Sequence, residues 1–317
     1  MRKWFKKSMF LSVGLVVLLA GCGNNENNAN SNDGDKLNVV TTFYPMYEFS
    51  RQVGGEYANV TALIPAGAEP HDWEPSAQDM VKVKEADIFV YNGIVEGWVD
   101  DALSSAANDK RVVVEASNGI SLMEGLPEEE EGEEEHAHEE EGPILDPHVW
   151  LDPVLAQKEV ASIEAAFEQA DPANKDAYKK NADAYIAKLQ ELDETYKAGL
   201  KDVKRKEFVT QHAAFGYLAK QYGLTQVPIA GLSPEQEPAP DDLANIIAFA
   251  KENQVKTIFF ETLVEPKIAQ VVADEIGAKT DVLNPLEGLT DEEQKNNLDY
   301  IGIMKNNLEA LKKALNE

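Results

Sequence analysis

PANKDAYKKNADAYIAKLQELDETYKAGLKDV, residues 172–203, decides how the rest of the chain is organised. It has few helix breakers. Tyr178, Ala182, Tyr185, Leu189, Leu192 and Tyr196 recur at alternating spacings of four and three, which marks one apolar stripe on a helix. Thirty residues of helix would span about 45 Å. That is long enough to run down the side of two domains, so the segment reads as a stiff strut.

On either side of the strut the pattern changes to short apolar runs alternating with amphipathic stretches. Before it, strands are expected at Leu37–Phe43, Val60–Ile64, Ala86–Tyr91 and Arg111–Glu115, with helices such as Met46–Val53 and Ala77–Glu85 between them. After it, strands are expected at Glu207–Thr210, Gln226–Ile229, Thr257–Glu261 and Asp281–Leu283. The helices there are approximately Phe215–Tyr222, Pro240–Asn253, Pro266–Glu275 and Glu292–Leu315. Runs rich in Val and Ile with no polar alternation suit parallel strands buried on both faces. The fold class expected is therefore α/β: two (β/α) lobes with parallel sheets, residues 37–171 and 205–317. One long rigid helix, residues 172–204, joins them, and a crevice lies between the lobes.

The N-terminus reads as an address. Arg2, Lys3, Lys6 and Lys7 precede an apolar run from Met9 to Leu19. Eleven residues fall short of the roughly 20 that a spanning helix needs, so residues 1–21 are expected to be a signal peptide. Leu19-Ala20-Gly21-Cys22 looks like a bacterial lipobox, and Cys22 is the only cysteine in the chain. Cys22 thus has no intrachain disulfide partner and sits where a lipid would be attached, anchoring the protein to the membrane. Residues 22–36, rich in Asn, Ser, Gly and Asp, cannot repay their ordering entropy by burial and read as a flexible tether. The formal net charge of −28 argues against nucleic acid, which needs clustered Lys and Arg, and suits a protein that attracts cations. The segment 128–141 holds ten Glu together with His136 and His138. Charge repulsion rules out a packed core there, so it reads as a surface insertion. It is either a solvated tract or a low-affinity metal collector.

Three of the chain's five histidines sit in apolar or turn contexts at the ends of expected strands. His71 follows the second strand, His148 opens a helix after Asp146-Pro147, and His212 follows Phe208-Val209-Thr210-Gln211. In open α/β sheets that edge is where ligands bind. Neutral imidazole is a common metal ligand, and a fourth, anionic ligand would close a tetrahedron around zinc. Glu287, after the last strand, is one candidate. Glu261, at the end of Thr257-Ile258-Phe259-Phe260, is another, unless it orients a histidine from behind. Spacing alone does not choose between them.

The blocks Pro70-His71-Asp72-Trp73-Glu74-Pro75-Ser76, Asp146-Pro147-His148-Val149-Trp150-Leu151-Asp152-Pro153, Gln211-His212-Ala213-Ala214-Phe215 and Asn284-Pro285-Leu286-Glu287-Gly288-Leu289 resemble those of the ZnuA/AdcA-type zinc-binding lipoproteins. These are metal-binding solute-binding proteins of ABC importers. The resemblance covers essentially the whole chain after Cys22. It implies two (β/α) lobes bridged by one long helix, with a metal site in the cleft between them. One ligand comes from each block: His71, His148, His212 and Glu287. In that family water or another acidic residue can replace the fourth ligand. The resemblance also implies an extracytoplasmic, lipid-anchored monomer that hands Zn2+ to a membrane permease and is not an enzyme. Manganese members of the class typically carry a carboxylate in place of the third histidine, so His212 points to zinc. A zinc hydrolase would use three histidines and a bound water. The chain has no His-Glu-x-x-His pair, and a fourth protein ligand would fill the position that the water needs.

Overall fold

The apolar runs become strands because each can bury both faces between helices. The structure, a computed structural model, describes residues 36–125 and 144–317. The expected signal peptide, tether, Cys22 and the 128–141 segment with His136 and His138 lie outside the described residues. The first lobe runs β1 (Leu37–Thr41), α1 (Tyr44–Gly54), β2 (Ala58–Ala62), α2 (Ala77–Glu85), β3 (Ile88–Tyr91), α3 (Val99–Ser105) and β4 (Val112–Glu115). Its four parallel strands stand in the order β2-β1-β3-β4. Two long helices follow, α4 (Pro153–Ala170) and α5 (Lys175–Leu200).

The second lobe repeats the plan with β5 (Glu207–Thr210), α6 (Gly216–Tyr222), β6 (Thr225–Pro228), α7 (Pro240–Glu252), β7 (Thr257–Phe260), α8 (Lys267–Ile276) and β8 (Lys279–Val282). It closes with α9 (Asp291–Lys295) and α10 (Tyr300–Ala314). Its sheet, β6-β5-β7-β8, is again parallel and has the same order. Two parallel-sheet lobes and the long helix agree with the expected fold.

The strut packs on both lobes. Tyr178, Ala182, Tyr185, Leu189, Leu192, Tyr196 and Leu200 are all buried along α5. Near the start of α5, Tyr178 meets Phe167 of α4 edge-on at 5.2 Å and Tyr185 meets Phe49 of α1 at 6.0 Å. Near its end, Tyr196 stacks on Tyr222 of α6 at 5.0 Å and donates a hydrogen bond to the Met304 carbonyl of α10 at 2.6 Å. A single buried cluster runs from Val39 and Phe49 of the first lobe through this stripe to Tyr300 and Leu311 of the second. Close-packed interiors of this kind deform little, so α5 ties the lobes as one core rather than as a hinge.

Two details differ from the sequence reading. His148 precedes a short 3-10 turn, Val149–Leu151, and α4 itself starts five residues later at Pro153. The start falls there because Asp152 caps the helix, accepting from the Val154 amide at 2.8 Å, and a proline suits the first helical position. The helix expected over Glu292–Leu315 is split into α9 and α10. Asn297 takes a positive φ of 53° between them, and Asp299 caps α10 by accepting from the Gly302 amide at 2.8 Å.

Candidate metal centre

All four ligand candidates follow strand C-termini. His71 lies in the loop after β2 and His148 in the segment between β4 and α4, both from the first lobe. His212 lies two residues past β5, and Glu287 in the loop after β8. Their side chains converge across the cleft: one nitrogen from each imidazole and one carboxylate oxygen lie within 4.8 Å of one another.

Four of the six distances within the group are close to one value. Glu287 Oε1 stands 3.1 Å from His71 Nε2, 3.4 Å from His148 Nε2 and 3.5 Å from His212 Nε2. The Nε2 atoms of His148 and His212 are 3.4 Å apart. A tetrahedral zinc with bonds of about 2.1 Å sets its ligand atoms about 3.4 Å apart. Three nitrogens and one oxygen at that spacing fit a borderline divalent cation.

Behind the Nε2 atoms, two carboxylates hold the imidazoles from their other edge. His148 Nδ1 donates to Asp146 Oδ1 at 2.8 Å, and the same oxygen accepts the His148 amide at 2.9 Å. His212 Nδ1 donates to Glu261 Oε1 at 2.5 Å, which also accepts the His212 amide at 3.2 Å. β7 lies next to β5 in the sheet, which brings Glu261 against His212 from the neighbouring strand end. Glu261 is thus placed behind His212, outside the four-atom group that contains Glu287. A hydrogen bond from Nδ1 selects the tautomer whose Nε2 carries a free lone pair and raises that nitrogen's basicity.

His71 is held differently. Its amide donates to both oxygens of Glu69, at 3.1 and 3.0 Å, and these bonds fix the loop, while Glu69 Oε1 stands 4.0 Å from the ring nitrogen Nε2, too far for a hydrogen bond. It is also the exposed member. Its side chain is 12% accessible, whereas those of His148 and His212 are 0% and that of Glu287 is 1%. A cavity of about 570 Å³ opens beside it, bordered by Asp72, Trp73, Glu74, Trp98 and Asp101.

Burial and charge act against each other in this cluster. Burial alone would raise the Glu287 carboxyl, yet hydrogen bonds from the three imidazoles hold it well below the usual carboxylate range. Burial alone would lower His148 and His212. The hydrogen bonds of His148 to Asp146 and Glu287 raise it instead, and Glu261 together with Glu287 pushes His212 up to about 10. A proton on His148 or His212 is thus favoured by the carboxylates around it. A dication in place of such protons would balance the same carboxylates while leaving the imidazoles neutral.

The sequence alone assigns no role to Asp146 or Glu69. Both sit two residues before a ligand candidate with a carboxylate turned back onto that residue's amide, a spacing visible in the chain.

The family described as "Zinc-uptake complex component A periplasmic" (ZnuA) matches residues 39–314. The high-affinity zinc uptake system protein ZnuA of Bacillus subtilis (strain 168) is 52% identical over 322 residues, covering 99% of this chain and 98% of that protein. The zinc-binding lipoprotein AdcA of Streptococcus pneumoniae (strain ATCC BAA-255 / R6) is 46% identical over 98% of this chain, which spans 61% of AdcA. The crystal structure of the Zn(II)-bound ZnuA-like domain of Streptococcus pneumoniae AdcA superposes with a TM-score of 0.75 at 46% identity. That superposition covers 89% of this chain and all of that domain.

Proposed function

The chain belongs to the family of component A of zinc-uptake complexes, and on that premise we propose that it captures Zn2+ outside the cytoplasm and delivers it to an ABC importer. The ion is held by His71 Nε2, His148 Nε2, His212 Nε2 and Glu287 Oε1. The observation that carries this reading is the convergence of those four atoms, three of them on buried side chains, with Glu287 Oε1 at 3.1–3.5 Å from each imidazole nitrogen. As zinc binds, it takes the place of protons on the imidazoles, and Asp146 and Glu261 supply the charge that lets a dication sit in a dry cleft. Four protein ligands close the coordination shell, which favours carriage over hydrolysis. Three imidazoles favour zinc over manganese, which prefers oxygen.

The same reading covers the ends of the molecule. Residues 1–21 direct export, Cys22 carries a lipid, and residues 22–36 tether a monomer to the outer face of the membrane beside its permease. Among the described residues no helix is long and apolar enough to cross a membrane. The lobes then comprise residues 37–171 and 205–317, joined by 172–204. The segment 128–141, with His136 and His138, is a weak collector whose loss leaves the main site intact. The test is metal analysis of the purified protein with anomalous diffraction at the zinc edge. One zinc per chain on these four residues is expected, and a zinc bound elsewhere, or none, overturns the assignment.

A further inference from the structure

The four ligands come from two lobes, so the tetrahedron exists only if the lobes hold a fixed register. Besides the shared core along α5 and the hydrogen bond from the Tyr217 hydroxyl to the Asp146 carbonyl at 2.7 Å, several contacts that impose that register meet at one residue. Trp150 is fully buried, two residues past His148, and its ring lies 5.1 Å from the His148 ring. Its indole Nε1 crosses to the second lobe and donates to the carbonyl of Pro285 at 2.8 Å, two residues before Glu287. Its own carbonyl accepts from the hydroxyl of Tyr300, the first residue of α10, at 2.5 Å. Phe43, just past β1, packs edge-on against the same indole at 5.0 Å.

The segment that Trp150 grips is itself rigid and strained. Leu286, between Pro285 and Glu287, has a φ of +59°, a conformation that residues other than glycine rarely adopt. It is held there by its amide, which donates to Asn284 Oδ1 at 2.7 Å. Asn284 is in turn fixed to α10 by a reciprocal pair: its amide donates to Asn307 Oδ1 at 2.9 Å, and Asn307 Nδ2 donates to its carbonyl at 2.7 Å. On the far side of Glu287, the Leu289 carbonyl accepts the amide of Gly67, four residues before His71, at 3.0 Å. The Glu287 loop is therefore a strip against which both ligand segments of the first lobe are registered. On the His148 side the side chain that makes this contact is Trp150.

We propose that Trp150 is a positioning residue that sets the distance between the His148 and Glu287 ligand atoms by clamping their two segments together across the cleft. This rests on the metal-site reading above. A buried indole needs a partner for its N–H, and a packing role alone would be served by any aromatic ring of similar size. The clamp needs the donor.

The test uses the full chain after metal removal, with Co2+ as a spectroscopic reporter of coordination geometry and Zn2+ for kinetics. Two variants keep an aromatic ring in the core: Trp150→Phe removes the donor to Pro285 together with part of the ring, and Tyr300→Phe removes only the donor to the Trp150 carbonyl. Trp150→Phe is expected to change the intensity and position of the tetrahedral Co2+ bands and to release Zn2+ about 10- to 100-fold faster, the range for partners that orient a ligand. Its association rate should match the wild type. Tyr300→Phe should shift both readouts the same way by less, and it reports on the clamp if Trp150→Phe does not fold. Wild-type Co2+ spectra and release rates in a folded Trp150→Phe protein would overturn the clamp, even with a lowered Tm. Wild-type values in Tyr300→Phe, with Trp150→Phe unfolded, would overturn it equally. A wild-type chain that takes up no Co2+ or Zn2+ would overturn the site reading itself, which is how the two failures are told apart.

Discussion

His212 and His71 reach the same cluster from opposite lobes, and the protein treats them differently. His212 is fully buried, its Nδ1 is held by Glu261, and that carboxylate also takes its amide. His71 is the partly exposed ligand, and its Glu69 holds the loop amide rather than the ring. The difference separates a preorganised wall from an access side. On the proposed assignment, a metal arriving through the cavity beside His71 meets His148, His212 and Glu287 already in place, and His71 completes the shell. Preorganised ligands sacrifice little entropy on binding, so the wall should contribute most of the affinity and His71 most of the control over exchange.

The comparison breaks first at the wall. A structural zinc site worth about 10–16 kcal/mol gives about 2.5–4 kcal/mol per ligand if shared equally, or two to three decades in Kd. His212→Ala and His148→Ala are expected to lose at least that much in competition titrations against a chelator. His71→Ala should lose clearly less, because water can reach that position. Equal losses at all three would erase the distinction between wall and access side.

Proton competition comes next. His212 stays protonated in the metal-free protein up to about pH 10, and zinc needs the same nitrogen unprotonated. Raising the pH therefore strengthens binding by about tenfold per unit for each proton displaced, and the rise should continue above pH 7. Calorimetry at pH 7 in buffers of different ionisation enthalpy should show at least one proton released per zinc. An affinity flat from pH 6 to 8.5 would contradict a histidine-dominated wall. The metal-free fold follows the same signs. The share from His212, whose value is raised, is full below about pH 6.5 and lost as pH climbs through about 10. The share from Glu287, whose value is depressed, is present above about pH 4.5 and lost on acidification.

A finer test removes only the orienting carboxylates. Glu261→Gln and Asp146→Asn should each weaken zinc about 10- to 100-fold, since an amide supports the imidazole less well. Glu69→Gln, whose hydrogen bonds go to backbone amides and whose carboxylate comes no nearer the His71 ring nitrogen than 4.0 Å, should change affinity by a few-fold at most. If Glu69→Gln proves as costly as Glu261→Gln, the two sides are not held differently. The smallest effect is expected from deleting residues 128–141. The high-affinity constant should stay within a few-fold of wild type, while the association rate measured by stopped flow falls more at low salt than at high salt, because exposed charge is screened beyond about 8 Å at physiological ionic strength.

Much of this was legible in the chain. The alternation of apolar runs and amphipathic stretches is a local property, set by which side chains suit a strand buried on both faces, and it located the eight strands of the described residues. The three-and-four spacing of Tyr178 through Tyr196 identified α5 for the same reason. It also placed three histidines and two glutamates at strand ends, where α/β sheets bind ligands. What the chain could not decide was which glutamate faces the metal and which stands behind an imidazole. That choice depends on sheet order: β7 lies beside β5, so Glu261 meets Nδ1 of His212, while the loop after β8 carries Glu287 to Nε2. The break between α9 and α10, the burial of His148 against the exposure of His71, and the grip of Trp150 on Pro285 are of the same kind. Local propensity depends on neighbours in the chain, whereas these features depend on neighbours in space, which two lobes supply only once the shared core along α5 has fixed them together.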